Sequence, residues 1–132
     1  MSAPAESLSV LVLDDEPLIR QTARRFLSAA GYQCVEAETV ERALQLLRTT
    51  PVIAALLDMR LPGNRTGLDV LSDLRRLDEL KEIPVLIVTG SVLGDDEMAA
   101  IAKQRGFVFF KPEGFTAIVN FLDQLTGRDF SH

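Results

Sequence analysis

Apolar residues recur along this chain in two alternating rhythms. Short unbroken runs, Leu8 to Leu13, Val52 to Asp58, Pro84 to Val88 and Phe107 to Phe110, are too brief for helices and predict strands buried on both faces. Between them the spacing is helical. Glu16-Pro17 opens the first helix, with Leu18, Ile19, Ala23, Phe26, Leu27 and Ala30 on its inner face, Arg20, Gln21, Arg24 and Arg25 opposite, and Gly31 as the stop. Gln33 to Ala37 is a short second strand, and Thr39 starts a helix that turns Val40, Ala43, Leu44 and Leu47 inward before Pro51. After the turn signal Leu61-Pro62-Gly63-Asn64, Gly67 leads into Leu68, Val70, Leu71, Leu74 and Leu77, with Asp69, Asp73, Arg75 and Arg76 outward. Gly94 or Asp95 caps a fourth helix bearing Met98, Ala99, Ile101 and Ala102, Gly106 ends it, and Phe115 to Leu125 is the fifth. Five strands alternating with five helices predict an α/β domain, a mostly parallel sheet covered on both faces. The domain spans residues 8–126, between a disordered N-terminal tail, 1–7, and a C-terminal tail, 127–132.

Composition narrows the function classes. A chain of 132 residues suits one domain, and 47% apolar with 25% charged residues is typical of soluble globular proteins. The net charge of −5 and the lack of a basic stripe argue against nucleic acid, with Arg24-Arg25 and Arg75-Arg76 read as solvated helix faces. Cys34 has no disulfide partner and reads as a small buried hydrophobe, while His132 stands at the terminus without ligand-spaced neighbours. Met1 to Ser7 has no basic segment and leads into too few apolar residues for a signal peptide or membrane span. The expectation is a cytoplasmic protein without a membrane partner.

The chemistry lies where the apolar runs stop. They finish in Asp14-Asp15, Asp58, Thr89 and Lys111, all at carboxyl ends of strands, the edge at which open α/β sheets bind ligands. If the first and third strands are neighbours, the three carboxylates crowd. Two carboxylates about 5 Å apart repel by roughly 3 kcal/mol at an effective dielectric of 20, which invites a compensating cation. Lys111 alone does not balance three acids. A hard divalent ion that accepts carboxylates, waters and phosphoryl oxygens fits best, Mg²⁺ before Ca²⁺, whereas zinc would want His or Cys. One carboxylate could then attack phosphorus while a lysine and a hydroxyl meet the transferred oxygens, roles that fit Asp58, Lys111 and Thr89.

Leu13-Asp14-Asp15-Glu16, Leu57-Asp58 with Leu61-Pro62-Gly63 and Gly67-Leu68, Val88-Thr89-Gly90 and Lys111-Pro112 together resemble a response-regulator receiver domain of two-component signalling. The likeness covers Ser9 to Leu125. It implies a flavodoxin-like (βα)5 fold, a doubly wound parallel five-stranded sheet of order 2-1-3-4-5. It also implies that Asp58 is the phosphoacceptor, that Asp14, Asp15, Asp58 and the backbone carbonyl of Arg60 hold Mg²⁺, and that Thr89 and Lys111 bind the phosphoryl group. The bond before Pro112 is then a candidate cis peptide. The implied partners are a sensor histidine kinase or histidine phosphotransfer protein, and a downstream protein met by the fourth helix, fifth strand and fifth helix. A weak homodimer is a further option. Such a domain phosphorylates and dephosphorylates only itself, so it is not an enzyme with a separate substrate.

The sequence departs from that family in three places. The loop from Asp58 to Gly67 is one residue longer than the commonest form. Val108 stands at the usual position of the switch aromatic, flanked by the alternative candidates Phe107 and Phe109, an arrangement expected to weaken the coupling to Thr89. Glu113-Gly114 follows Lys111-Pro112 where an apolar residue is common. No effector segment is apparent after Leu125, so direct transcriptional output is not expected of this chain. Rival readings are an aspartate-nucleophile, Mg²⁺-dependent phosphohydrolase, a receiver excised from a larger hybrid kinase or regulator, and a flavin or nucleotide binder on the same fold. Arg60 stands where the phosphohydrolase would carry its second acid, and Asp14-Asp15-Glu16-Pro17 offers no phosphate loop.

Overall fold

The computed structural model describes residues 8–111 and 114–127. Strands β1 (Ser9–Leu13), β2 (Gln33–Ala37), β3 (Ala54–Asp58), β4 (Val85–Thr89) and β5 (Gly106–Phe110) alternate with helices α1 (Pro17–Ala29), α2 (Val40–Thr49), α3 (Gly67–Arg75), α4 (Asp95–Lys103) and α5 (Gly114–Thr126). All four pairings within this sheet are parallel, and the order is β2-β1-β3-β4-β5, the flavodoxin-like arrangement; apart from it, Arg60–Leu61 and Arg65–Thr66 form a short antiparallel pair. Both tails, Pro112 with its candidate cis bond, and Glu113 lie outside the described residues.

Period-two alternation along the central strands divides the core into two layers. Leu11, Leu13, Ala55, Leu57, Val85 and Ile87 meet α2, α3 and α4 on one face. On the other, Val10, Val12, Ala54, Leu56, Leu86 and Val88 meet Ala23 and Leu27 of α1 and Phe115, Ile118 and Leu122 of α5. Every residue of β1, β3 and β4 is buried, as the unbroken apolar runs require. Side chains of Thr39 and Thr66 accept the N–H groups of Arg42 and Asp69, both at 3.1 Å, and start α2 and α3. Pro17 fills the first helical position of α1, whose N-cap Glu16 makes no side-chain cap bond.

Several expectations need correction. β5 is not buried on both faces: it pairs only with β4, and Phe107 and Phe110 are 44% and 47% exposed. Leu18 is 73% exposed, because the first turn of α1 rises past the strand ends, and Phe26 is 39% exposed while stacked on Phe115 at 5.8 Å. In α4 only Ile101 is buried, and Met98, Ala99 and Ala102 face outward. Gly106 does not end that helix. Arg105, at φ 63°, makes the left-handed turn, and Gly106 opens β5, where a Cβ would stand 2.7 Å from Ile101 Cγ2 and 2.8 Å from Leu71 Cδ2. Arg75 is no solvated residue. Its guanidinium donates to the carbonyls of Ile83 (2.8 Å), Lys81 (3.1 Å), Gln104 (2.8 Å) and Arg105 (3.4 Å), joining the segments that enter β4 and β5.

Candidate functional site

Strand register sets the site. Leu13 lies level with Leu57, and Asp58 with Val88, so Asp14 and Asp58 emerge side by side beyond adjacent strands. Asp14 is held on three sides. Its Oδ1 accepts the N–H of Glu16 at 2.9 Å, its carbonyl accepts from Arg20 Nη1 at 2.8 Å, and its Oδ2 accepts from Lys111 Nζ at 2.8 Å. Lys111 Nζ also donates to Asp58 Oδ1 at 3.2 Å, and its backbone N–H to the carbonyl of Thr89 at 2.8 Å. Asp58 is fixed from below by the start of α3: a Cβ on Gly67 would lie 2.7 Å from the Asp58 carbonyl oxygen, so only glycine fits there without movement. Beyond the strand ends opens a cavity of about 420 Å³, lined among others by Asp15, Asp58, Arg60, Thr89 and Lys111.

Carboxylate oxygens of Asp14, Asp15 and Asp58 all lie within 4.8 Å of one another. Asp14 and Asp58 are buried and Asp15 is exposed, which leaves the trio open to solvent on one side. Burial first, then the charge of Asp14, pushes the Asp58 carboxyl up to about 6 against the pull of Lys111. Burial also works against the charge of Lys111, but its bonds to Asp14 and Asp58 prevail and raise its pKa. An all-oxygen set of three acids against one lysine is the donor chemistry of a hard divalent cation. It therefore fits the ion that the sequence reading calls for.

Comparison with known proteins agrees with this geometry. The family model described as "Response regulator receiver domain" matches residues 10–123. The chain belongs to the response-regulator receiver family. Relatives include the phosphate regulon transcriptional regulatory protein PhoB of Pseudomonas aeruginosa, 30% identical over 104 residues covering 79% of this chain and 45% of PhoB. The polar-differentiation response regulator DivK of Brucella anthropi is 34% identical over 89 residues, covering 67% of this chain and 72% of DivK. This receiver domain spans less than half the length of the transcriptional regulators that it matches, such as PhoB and KdpE. Among solved structures, Vibrio cholerae CheY4 superposes with a TM-score of 0.79 at 22% identity, covering 89% of this chain and 98% of that one. A receiver domain from Colwellia psychrerythraea gives 0.81 at 23% identity, covering 91% and 98%. Membership makes the chain a receiver domain of two-component signalling. No helix among the described residues is long and apolar enough to cross a membrane.

The receiver fold thus gathers Asp14, Asp15, Asp58, Arg60, Thr89 and Lys111 at one edge of the sheet. The hydroxyl of Thr89 is turned toward its own loop, accepting the N–H of Ser91 at 3.2 Å and donating to the Ser91 carbonyl at 3.2 Å. Phe107 and Phe109 do not join the site. Their rings meet Phe121 of α5 at 4.7 and 5.9 Å, whereas strand alternation puts Thr89 on the α3–α4 face with Val108. Phe110, level with Thr89, is the aromatic on that face. Parity along the strand could have singled it out. Arg20 and Glu97, which anchor Asp14 and Arg60, carry no local sequence signal.

Proposed function

We propose that Asp58 accepts a phosphoryl group from the phosphohistidine of a sensor histidine kinase or histidine phosphotransfer protein. An Asp58 oxygen bonds to phosphorus as the P–N bond breaks and its electron pair returns to the departing imidazole. Lys111, already 3.2 Å from Asp58, meets one phosphoryl oxygen, and Thr89 supplies a hydroxyl to another by turning away from Ser91. Asp14, Asp15, Asp58 and the carbonyl of Arg60 are the residues that would hold Mg²⁺. Bound there, Mg²⁺ neutralises charge that builds on the phosphoryl oxygens. The observation that carries this reading is the contact of one lysine with both Asp14 and Asp58, in a trio of acids at the strand ends.

The domain transforms only itself in this reading, by phosphorylation and slow hydrolysis, and works in the cytoplasm. The surface of α4, β5 and α5, where Met98, Phe107, Phe110 and Leu125 are exposed, is our candidate for the effector contact or a weak homodimer. Intact-protein mass after incubation with acetyl phosphate tests the central claim. The expected result is one phosphate-sized addition that needs Mg²⁺ and is absent from Asp58→Ala. An equal addition on folded Asp58→Ala would place the phosphoryl group elsewhere and overturn the reading.

A further inference from the structure

Arg60 belongs to two contacts at once. Its backbone N–H lies near enough to the Asp58 carboxylate to lower that acid's pKa, and Arg60 lines the same cavity. Its guanidinium Nη1 also donates to Glu97 Oε2 at 3.3 Å, while Glu97 Oε1 accepts the N–H of Gly94, the N-cap of α4, at 3.0 Å. One carboxylate therefore hooks the start of α4 to a side chain two residues beyond Asp58.

That hook is weak by construction. The Arg60–Glu97 pair is half exposed, and such pairs contribute little in water. A phosphoryl group on Asp58 would bring about two negative charges into a cavity already lined by Asp15 and Glu16. Lys111 is taken up by Asp14 and by the one phosphoryl oxygen that it meets in the proposed function. Arg60 is the remaining cation of that lining, and a guanidinium fork matches phosphoryl oxygens better than it matches one exposed carboxylate.

We propose that Arg60 changes partners when Asp58 is phosphorylated, leaving Glu97 for the phosphoryl oxygens and so untying the first turn of α4 from the site. This inference rests on Asp58 being the phosphoacceptor. No covalent bond is involved beyond that transfer. Arg60 shields the phosphoryl group from water in this arrangement, and the released turn carries Asp95, Asp96 and Glu97 without a facing guanidinium.

Amide exchange over residues 94–98 tests it, in wild type, Arg60→Ala and Glu97→Gln, each with and without acetyl phosphate plus Mg²⁺, with intact mass reading the phosphoryl group. Arg60→Ala keeps the backbone carbonyl and N–H. Phosphorylation should speed exchange over 94–98 several-fold in wild type. Arg60→Ala should show the faster exchange from the outset, with no further change and a shorter phosphoryl lifetime. Glu97→Gln should loosen the same turn but lengthen that lifetime. A phosphorylated wild type with unchanged exchange, or a change that persists in Arg60→Ala, overturns the partner swap alone. A wild type that takes up no phosphoryl group overturns the phosphoacceptor reading and the swap with it.

Discussion

Asp58 holds its charge against its surroundings, and the cost has a defined sign. Its carboxyl titrates near 3.8 in an unperturbed chain and at about 6 in the folded one. Between those values the folded state binds the extra proton, so stability falls as pH rises through that window, and the full cost remains above it. Asp58→Asn should therefore stabilise the metal-free protein at pH 7–8 by about 1–2 kcal/mol, allowing for solvent screening at the cavity mouth. The gain should vanish by about pH 3, below both values, where aspartate is largely protonated in both states. Thermal unfolding in chelator across that range checks it. Asp14, Asp15, Asp58, Thr89 and Lys111 were legible because each closes an apolar run. The backbone carbonyl of Arg60 was named through the family resemblance, but the side-chain contacts of Arg20 and Arg60 were not legible, because their partners are set by folding: a backbone carbonyl for Arg20, and for Arg60 a carboxylate 37 positions away.

Among the elements, α3 best separates pattern from contact. Its apolar stripe, Val70, Leu71 and Leu74, is buried as its spacing predicts, but the same spacing groups Arg75 with Arg76 as surface. Arg76 is exposed and pairs with Asp73 at 3.2 Å, whereas Arg75 serves backbone carbonyls of two loops. Arg75→Ala should cost about 2–3 kcal/mol, because it strands partly buried carbonyls, and Arg76→Ala no more than about 0.5 kcal/mol. Urea unfolding of the two variants, side by side, measures the contrast. β5 was misread for a related reason: a run of phenylalanines looks like a buried strand whether it lies mid-sheet or at the edge, and its neighbours decide which.

At the scale of the whole molecule, the strand order follows from the family resemblance and not from periodicity, since hydrophobic rhythm says that strands are buried without saying beside which others. The order has a dynamic consequence. β1 and β3 are bonded on both sides, while alternate amides of β5 meet no partner strand. Amides of Val10 to Leu13 and Ala55 to Asp58 should exchange only on global unfolding, and those of β5 sooner, as native-state exchange would show.

Tyr32 is the chain's one tyrosine, and there is no tryptophan. Its hydroxyl donates to buried Asp123 at 2.6 Å, across the seam of α1 and α5 and at the opposite end of the sheet from Asp58. The tyrosine emission of the protein thus comes from a single phenol, which lies far from Asp58 and reports whether the last helix is seated. Followed beside far-ultraviolet dichroism during unfolding, it shows whether that helix leaves with the rest of the fold or ahead of it.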